Sequence, residues 1–410
     1  MTSKPTLIVL GTGFGGFSLI KHLRRGLFRV VVVSPRNHFL FTPLLASTTV
    51  GTLEFRSIIE SVRVARPDVE FVQAFARRLD HRKKILHCEG ALDGKKFSLS
   101  YDMLVIAVGA TPATYGIPGV AKHAHFLKDV SDARSIRGRI IDCLELASQP
   151  GVSEKERKRL LHFVVVGGGP TGVEFAAEMH DFIDQDLRRL YPGLVADVRI
   201  SLLEAGDHIL NTFDAALSQY TTRFFMRQRI DIRIRSKVTR VLKDVVVLSD
   251  KSRIPYGLLV WTTGIAPTPF VSSLSLPKDP FSRLIVDDYL RVDGTQQLFA
   301  LGDCISVAGK TIPATAQVAQ QEGTYLAKAL ERHVEGLLPK SFRYKHYGML
   351  AYIGSGEALA DLERVKGRGF ATWLFWRSVY ITRLVSMKNK VLVLFDWAKT
   401  FIFGRDISRF

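Results

Sequence analysis

The chain has 410 residues, of which 47% are hydrophobic, and this length accommodates two or three domains. Lys and Arg outnumber Asp and Glu by 57 to 39, so the net charge is +18 and suits nucleic acid or an anionic membrane. The sequence contains no RNP string, Cys/His finger or lysine-rich tail, and we expect no nucleic-acid binding. Cys88, Cys143 and Cys304 are far apart, which excludes a redox dithiol and gives no support for a metal site.

The N-terminal residues lead directly into a glycine-rich turn between an apolar strand and a helix. The segment reads TLIVL, GTGFGG and FSLIKHLRRG in turn. Gly11, Gly13 and Gly16 have G-x-G-x-x-G spacing: the first forms a tight turn, the second lets the backbone approach a pyrophosphate, and the third lets the helix pack closely. The pattern predicts a dinucleotide site, and we expect no signal or transit peptide before it.

A second copy of the pattern begins at about residue 162. The strand HFVVV, the turn GGGPTG and the helix VEFAAEMHD place Gly167, Gly169 and Gly172 at the same offsets. Each copy is followed by another apolar run, so each is predicted to be a βαβ unit that opens a parallel sheet. Two such units in one chain indicate two bound dinucleotides.

The residue that ends the second strand of each unit selects the ribose. Glu204 has this position in the second unit, where a carboxylate accepts both ribose hydroxyls and repels a 2′-phosphate. NADH is therefore predicted to bind in preference to NADPH. The first unit has Ser34 instead of the usual acid, and we expect Ser34 and Arg36 to contact the adenosine or the pyrophosphate.

A later motif resembles that of a known flavoprotein superfamily. The segment from Thr295 to Asp303, T-x-x-x-x-A-x-G-D, is similar to the second FAD signature of the two-dinucleotide-binding flavoproteins. The linking strings YDMLVIAVG and YGLLVWTTG also match that superfamily. The resemblance implies that the N-terminal unit binds FAD non-covalently, that Asp303 accepts a hydrogen bond from a ribityl hydroxyl, and that the second unit binds NADH as substrate.

A narrower resemblance follows Asp303. The string PATAQVAQQEG contains A-Q-x-A-x-Q and is similar to the quinone-site motif of type II NADH dehydrogenases, the single-chain, non-pumping NADH:quinone oxidoreductases. The strings FLFTPLLASTTVGT, HYGMLAYIGS and SMKNKVLVLFDW are also similar to that family, so the matches span nearly the whole chain. The resemblance implies a quinone site at Ala316, Gln317, Gln320 and Gln321.

The residues of this motif fit a helix wall beside a planar ring. We expect a helix over about 313–333 with Pro313 in its first turn, which places Gln317 and Gln321 on one face. Two amides there can donate to a quinone carbonyl without adding charge. The alternative is a helix-packing face whose amides bond to the backbone.

Two acids follow the second glycine motif. Glu174 and Glu178 are spaced i and i+4 and share one helix face. The family resemblance implies that Glu174 relays protons during quinone reduction, so Glu174, Gln317 and Gln321 are the predicted catalytic residues. The alternative is that Glu174 only complements the positive end of its helix.

The final segment is aromatic and basic. Between residues 366 and 410 there are nine Lys or Arg residues and two Asp. Apolar residues recur at helical spacing from Val391, and no uncharged run is long enough to span a bilayer. Trp373, Trp376 and Trp397 suit a lipid headgroup layer. We expect this segment to attach to a membrane surface; the alternative is a helix that packs on the core or across a homodimer.

These motifs predict an α/β fold with two Rossmann-like domains and a C-terminal amphipathic helical membrane-anchoring segment. The FAD domain is expected to be discontinuous, because its two motifs are far apart in the sequence. Residues 1–120 and 265–340 form its two parts, residues 121–264 form the NADH domain, and residues 341–410 associate with the membrane.

The expected function is electron transfer from NADH through FAD to a membrane quinone, without proton pumping, in a respiratory chain. The protein is expected to be peripheral to the mitochondrial inner membrane or a bacterial plasma membrane. Two alternatives stay open. One is a soluble NADH-dependent flavin reductase of an iron–sulfur protein; the basic surface of this chain would suit an acidic partner of that kind. The other is an NADH-sensing flavoprotein that resembles apoptosis-inducing factor.

Overall fold

The computed structural model describes residues 4–409, which divide into two compact units. Unit 1 contains the described residues up to Leu40 together with Ile59–Thr111 and Ile265–Lys345. Unit 2 contains Phe41–Ile58, Pro112–Gly264 and the described residues from His346 onward. Both units are therefore assembled from segments that are distant in the sequence.

The helices follow the chain in this order: α1 Phe14–His22, α2 Leu45–Thr49, α3 Val62–Ala65, α4 Val120–His123, α5 Val130–Ala147, α6 Glu154–Leu160, α7 Pro170–Phe182, α8 Arg188–Leu190, α9 Ala215–Arg227, α10 Pro269–Ser273, α11 Ala316–Val334, α12 Phe370–Arg383 and α13 Met387–Phe403. A π-helical turn, Ile183–Leu187, joins α7 to α8. Such turns are rare and frequently occur at functional sites.

The strands follow in this order: β1 Thr6–Leu10, β2 Arg29–Ser34, β3 His38–Leu40, β4 Ile59–Ser61, β5 Glu70–Asp80, β6 Ile85–Gly90, β7 Lys96–Ser100, β8 Met103–Ile106, β9 Ala110–Pro112, β10 His125–Phe126, β11 His162–Val166, β12 Arg199–Leu203, β13 Ile230–Arg233, β14 Val238–Val241, β15 Val245–Leu248, β16 Arg253–Pro255, β17 Leu258–Trp261, β18 Ile265–Pro267, β19 Leu284–Val286, β20 Leu298–Ala300, β21 Ile305–Val307, β22 Met349–Gly354, β23 Glu357–Asp361 and β24 Lys366–Gly369.

Unit 1 is built on a seven-stranded sheet in the order β20-β8-β1-β2-β5-β6-β7. The first five of these strands run parallel, and β6 and β7 extend the sheet as antiparallel strands. Leu7–Leu10 of β1 are completely buried, as expected for a parallel strand covered on both faces. The first glycine turn leaves the carboxyl end of β1, which is the edge where parallel sheets bind their ligands.

Unit 2 is built on a five-stranded parallel sheet in the order β10-β17-β11-β12-β13. Every residue of β11 is buried, and the second glycine turn connects its carboxyl end to α7. A separate antiparallel sheet, β14-β15-β16, belongs to the same unit. The expected α/β fold with two Rossmann-like units is confirmed, whereas the domain boundaries at 120, 264 and 340 stay predictions.

The C-terminal residues are an integral part of unit 2. The antiparallel sheet β22-β23-β24 packs against α7 through β22 and against α12 through β23. On α13, Asn389 and Asp396 are buried and bond to Ser57: the amide donates to its carbonyl at 2.8 Å, and the carboxylate accepts from its hydroxyl at 2.6 Å. One face of this segment therefore belongs to the core of unit 2.

The other face of α13 is apolar and open to solvent. Val391, Leu394, Phe395, Phe401 and Ile402 are each more than half exposed, and they are members of the stripe expected from the sequence. Among residues 4–409, none of the helices combines the length and the apolar character needed to cross a bilayer.

The expectation for the tryptophans is wrong at two positions. Trp376 and Trp397 are 4% and 8% exposed, and their ring centroids lie 6.3 Å apart. The guanidinium of Arg377 lies over the rings of Trp397 and the half-buried Trp373, at 4.3 Å and 3.9 Å. The apolar spacing of a two-sided helix does not reveal which face turns inward, and here the large indoles fill the interior.

Candidate active site

The first glycine turn joins β1 to α1. Gly11 has a φ of +99°, and a Cβ there would stand 2.3 Å from the Ala107 carbonyl oxygen. A Cβ on Gly16 would stand 2.2 Å from the carbonyl oxygen of Gly11. In contrast, no atom of the described chain lies within 4 Å of a Cβ placed on Gly13 at the helix N-cap. The turn is thus closed by its outer glycines and open at its middle one, which fits the approach of a pyrophosphate.

Polar side chains next to this turn form hydrogen bonds with each other and with the backbone. The Ser34 hydroxyl is buried, lies 3.2 Å from the Thr12 hydroxyl and accepts the Arg36 backbone N–H at 3.2 Å. Thr12 in turn donates to the carbonyl oxygens of Arg36 and His38 at 3.1 Å and 3.0 Å. Ser34 therefore orders the loop after β2, and the nucleotide contacts expected of Ser34 and Arg36 stay predictions.

The second glycine turn repeats the geometry of the first. Gly167 has a φ of +111°, and a Cβ on Gly172 would stand 2.0 Å from the carbonyl oxygen of Gly167. No described atom lies within 4 Å of a Cβ placed on Gly169. Glu204 lies beside this turn and accepts the backbone N–H groups of Gly168 and Gly206, each at 2.6 Å. The Glu204 carboxylate is thus held at the second glycine turn, and its role in selecting the ribose stays a prediction.

The second FAD motif forms a short turn after β20. Gly302–Cys304 is a 3₁₀ turn in which Gly302 has a φ of +78°, and Asp303 is half-buried within it. The Cys304 thiol is fully buried and donates to the carbonyl oxygen of Leu301 at 3.2 Å. This turn and the open glycine turn at Gly13 both belong to unit 1. Together they fit an extended dinucleotide cofactor such as FAD.

Glu174 begins a line of acids on α7. Its Oε1 accepts the Tyr352 backbone N–H at 3.3 Å. Loss of hydration, opposed by this hydrogen bond and reinforced by the charge of Glu178, raises the pKa of Glu174 to about 8. Burial and the nearby Glu174 also raise the pKa of Tyr380 well above its usual value. Glu174 consequently holds a proton near neutral pH, which suits a group that delivers protons.

The next acids on this helix are buried and densely bonded. Glu178 is 4% exposed and accepts the hydroxyls of Ser47 at 2.6 Å and Thr52 at 2.7 Å. Burial is the main reason that its pKa is raised, and the attraction of Arg405 opposes the shift. Asp181 is 2% exposed and accepts the Tyr352 hydroxyl. Helix α7 therefore carries more acids into the interior of unit 2 than the two recognised in the sequence.

The glutamines of the A-Q-x-A-x-Q motif lie on α11 and both contact the segment that follows it. The Tyr344 hydroxyl donates to Oε1 of Gln317 at 2.7 Å. The Gln321 amide donates to the Lys345 carbonyl at 2.8 Å and accepts the Lys345 N–H at 3.0 Å. The backbone-bonding alternative thus describes Gln321, so a quinone would have to displace Lys345 to use both ends of that amide.

The remaining motif residues lie near the helix start. Ala316 is the first residue of α11, and Gln320 contributes its carbonyl oxygen to the Ser18 hydroxyl at 3.0 Å. The expected helix start at Pro313 is wrong. Thr315 accepts the Val318 N–H with its side chain and caps the helix, so that α11 begins three residues later.

Each unit contains one residue beside the predicted site residues that the sequence analysis did not identify. Tyr344 orients Gln317, and Arg405 is a buried cation within the acid cluster of unit 2. Neither lies in a glycine motif or on a periodic apolar stripe, so no sequence signal marked it. Within residues 4–409, no group of three or more His, Cys, Asp or Glu side chains is arranged to hold a metal ion.

Comparison with known protein families covers nearly the whole chain. Residues 5–323 match the pyridine nucleotide-disulphide oxidoreductase family, and residues 346–406 match the NDH2 C-terminal domain. The second match covers β22 to α13, which is the part of unit 2 that carries the exposed apolar stripe. The region with the two glycine motifs and the aromatic, basic C-terminal region are therefore each matched by a known family.

Individual relatives are similar over most of their length. The chain is 48% identical to a probable NADH dehydrogenase of Dictyostelium discoideum, over 98% of this chain and 91% of that protein. It is 42% identical to the external NADH-ubiquinone oxidoreductase 2, mitochondrial, of Saccharomyces cerevisiae, over 99% and 82%. The solved structure of NDH2 from Plasmodium falciparum in complex with NADH superposes with a TM-score of 0.95 at 29% identity, covering 99% of this chain and 100% of that one.

These matches agree with the two Rossmann-like units and with the expected NADH:quinone oxidoreductase function. They favour neither the iron–sulfur reductase nor the flavoprotein similar to apoptosis-inducing factor. The chain belongs to the type II NADH:quinone oxidoreductases, a branch of the pyridine nucleotide-disulphide oxidoreductase family.

Proposed function

We propose that this chain oxidises NADH and reduces a quinone at a membrane surface, through a non-covalently bound FAD and without pumping protons. The observation that carries the proposal is the presence in one chain of two glycine turns, each open at its middle glycine, and of the C-terminal region matched by the NDH2 family. The bound FAD supplies a two-electron acceptor that couples the two substrates.

The residues of the chain bind NADH and FAD, orient the quinone and supply a proton to it. The turn at Gly169 and the carboxylate of Glu204 hold the NADH pyrophosphate and adenosine ribose. The turn at Gly13, together with Asp303, holds FAD. Gln317 donates to a quinone oxygen, and Glu174, protonated near neutral pH, supplies a proton when the quinone is reduced.

The test separates the two halves of the reaction. The purified protein is reduced with NADH in the absence of oxygen, while the flavin absorbance near the visible maximum is followed. A soluble short-tailed quinone is then added. We expect NADH to bleach the flavin and quinone to restore it within the turnover time. A protein that is bleached by NADH but is not reoxidised by quinone would contradict the quinone assignment.

We further propose that the exposed apolar face of α12 and α13 lies in the membrane interface. Phe370, Phe401, Ile402 and Phe403 are each at least 62% exposed, and Lys or Arg residues are frequent in the same segment. Basic residues beside an apolar helix face attract anionic lipid and hold the helix in the headgroup layer. The mitochondrial relatives support a peripheral position on the mitochondrial inner membrane.

The same face could instead join two copies of the chain as a homodimer. We favour lipid because a long-tailed quinone stays in the bilayer, and its reductase must reach it there. Vesicle flotation combined with light scattering distinguishes the two. We expect the protein to float with anionic vesicles; a protein that forms a stable dimer and ignores vesicles at low salt would support the dimer.

A further inference from the structure

The two FAD motifs of unit 1 are joined physically by α11. This helix packs along α1, the helix that starts at the first glycine turn. The contact is so close that a Cβ on Gly323 would stand 2.3 Å from the carbonyl oxygen of Gly15. Near it, the Ser18 hydroxyl lies 3.0 Å from the Thr324 hydroxyl, which ties the two helices together. Helix α11 is therefore fixed against the first FAD motif.

The residue next to Gly323 reaches the second FAD motif. Glu322 is 1% exposed, and its Oε2 accepts the backbone N–H of Gly302 at 2.6 Å. Gly302 immediately precedes Asp303 and has the left-handed φ of a turn. The same region also contacts α1, because a Cβ on Gly15 would stand 2.0 Å from the Leu301 side chain. The pair Glu322–Gly323 thus contacts both motifs.

The chemical identity of Glu322 is costly for a purely structural contact. A buried carboxylate is more expensive to desolvate than an amide, and a glutamine oxygen would accept the same N–H. The neighbouring Asp303 adds like-charge repulsion: burial, with this repulsion, raises the pKa of Glu322 to about 7. An acid at this position is consistent with a strong hydrogen bond to the turn rather than with packing alone.

We propose that Glu322 is a positioning residue for FAD, which acts by holding the Gly302–Asp303 turn through its hydrogen bond to the Gly302 N–H. The proposal rests on the proposed function, in which Asp303 binds the flavin. Glu322 itself does not need to touch the cofactor. It couples the turn to α11, the helix that also carries Gln317 and Gln321. One helix thereby holds both the proposed FAD turn and the proposed quinone-binding residues.

The test compares three variants of the FAD-loaded protein. Glu322→Leu removes the hydrogen bond, Glu322→Gln keeps the acceptor without the charge, and Leu330→Ala removes buried volume elsewhere on α11, where Leu330 is 1% exposed. The rate of FAD release is measured by the rise of flavin fluorescence after dilution, and helicity is checked by circular dichroism. We expect Glu322→Leu to release FAD about tenfold faster and Glu322→Gln to stay within about threefold of the unmodified protein.

Each result bears on the proposal. Slower release from Glu322→Leu than from Leu330→Ala, or equal release from the two at equal melting temperature, would overturn it, because general loosening of the helix would then be sufficient. Release from Glu322→Gln as fast as from Glu322→Leu would also overturn it, since an acceptor for the Gly302 N–H would then not slow the release of FAD. If the unmodified protein held no FAD at all, the proposed function itself would fail.

Discussion

The Arg405 guanidinium donates from Nη1 to Oδ2 of Asp186 at 2.8 Å, and the Arg405 backbone N–H donates to the other oxygen of the same carboxylate at 3.0 Å. The two side chains are 4% and 3% exposed. Arg405 also donates from Nε to the Thr52 hydroxyl at 2.9 Å, and that hydroxyl donates to Glu178. A residue near the end of the chain is thus bonded into the acid cluster around α7 and the π-helical turn.

Replacing this buried cation should destabilise unit 2 strongly. Arg405→Met leaves the carboxylate of Asp186 buried without its ion pair, which costs about 3–5 kcal/mol of the free energy of unfolding. We expect a clear fall in melting temperature measured by calorimetry. Arg188→Met is the matched control, because Arg188 pairs with Asp184 on the same stretch while both are well exposed. Such surface pairs contribute about 0–1 kcal/mol. Equal losses in the two variants would contradict the buried-pair argument.

The Glu204 carboxylate should govern nucleotide preference. We expect the unmodified enzyme to use NADH with a much higher kcat/KM than NADPH, because Glu204 repels the 2′-phosphate at the second glycine turn. Glu204→Gln should narrow this ratio by about tenfold, equivalent to about 1.4 kcal/mol. It should also weaken NADH binding, because Gly168 and Gly206 donate to different oxygens of Glu204, and the amide places its NH2 group against one of these two donors.

Asp207→Asn is the control for this experiment. Asp207 is a neighbouring acid whose side chain is 72% exposed and pairs with Arg235 on the surface. We expect it to leave the NADH to NADPH ratio nearly unchanged. If Asp207→Asn changed the ratio as much as Glu204→Gln, general surface charge would explain the preference instead.

The raised pKa of Glu174 gives the quinone reaction a predictable pH dependence. With a pKa of about 8, the carboxyl is protonated at neutral pH and loses its proton as the pH rises through that value. The rate of flavin reoxidation by quinone should therefore fall above about pH 8, whereas reduction by NADH should not follow the same limb. Glu174→Gln should slow reoxidation and flatten this limb; a variant that keeps an unchanged fall near pH 8 would exclude Glu174 as the proton donor.

The same shift affects folding stability. A carboxyl whose folded pKa is raised above its unfolded value of about 4.5 favours the folded state at low pH, because the folded chain binds the extra proton. This advantage declines as the pH rises from about 4.5 towards 8. Glu174→Gln should remove that decline. Thermal midpoints of both proteins across this pH range provide the measurement.

The two glutamines of α11 should differ in their effects. Gln317→Leu should slow reoxidation by quinone about tenfold or more and leave NADH reduction nearly intact, because it removes a proposed donor to the quinone. Tyr344→Phe should act in the same direction but less, since it only releases the Gln317 oxygen. Gln321→Leu should lower stability as well, because the N–H and carbonyl of Lys345 both lose their partner. Stopped-flow timing of each half-reaction tests this; equal slowing of both half-reactions by Gln317→Leu would make that residue structural.

Membrane attachment should depend on the exposed apolar side chains of α13. Phe401→Ser with Phe403→Ser removes two rings that are 92% and 75% exposed, and burial of each ring stabilises by about 1.5–3 kcal/mol. We expect vesicle binding to fall at least about tenfold. Leu92→Ser is the control, since Leu92 is 86% exposed in unit 1. Equal flotation of both variants with anionic vesicles would place the lipid contact elsewhere.

The sequence was most informative where backbone geometry restricts the residue type. The tight turn expected at Gly11 and the close packing expected at Gly16 match the structure, because a Cβ on either residue would clash with a backbone carbonyl oxygen. The predicted start of α11 was three residues too early, because Pro313 suits a first helical turn but Thr315 is the residue that caps the helix. Burial on a two-sided helix was also misjudged at Trp376 and Trp397. Arg405 could not be anticipated, because its partners are more than 200 positions away in the sequence and no local pattern connects them.

The buried position of Arg405 also has a consequence for biosynthesis. Unit 2 combines residues 41–58, 112–264 and those from 346 onward, so its acidic interior is complete only after residue 405 has left the ribosome. Domains usually fold as units during synthesis, beginning at the N-terminus. Here Asp186 and Glu178 are synthesised long before the cation that contacts both of them. The ion pair between Arg405 and Asp186 can therefore form only after residue 405 has been synthesised, later than the sheet of unit 2.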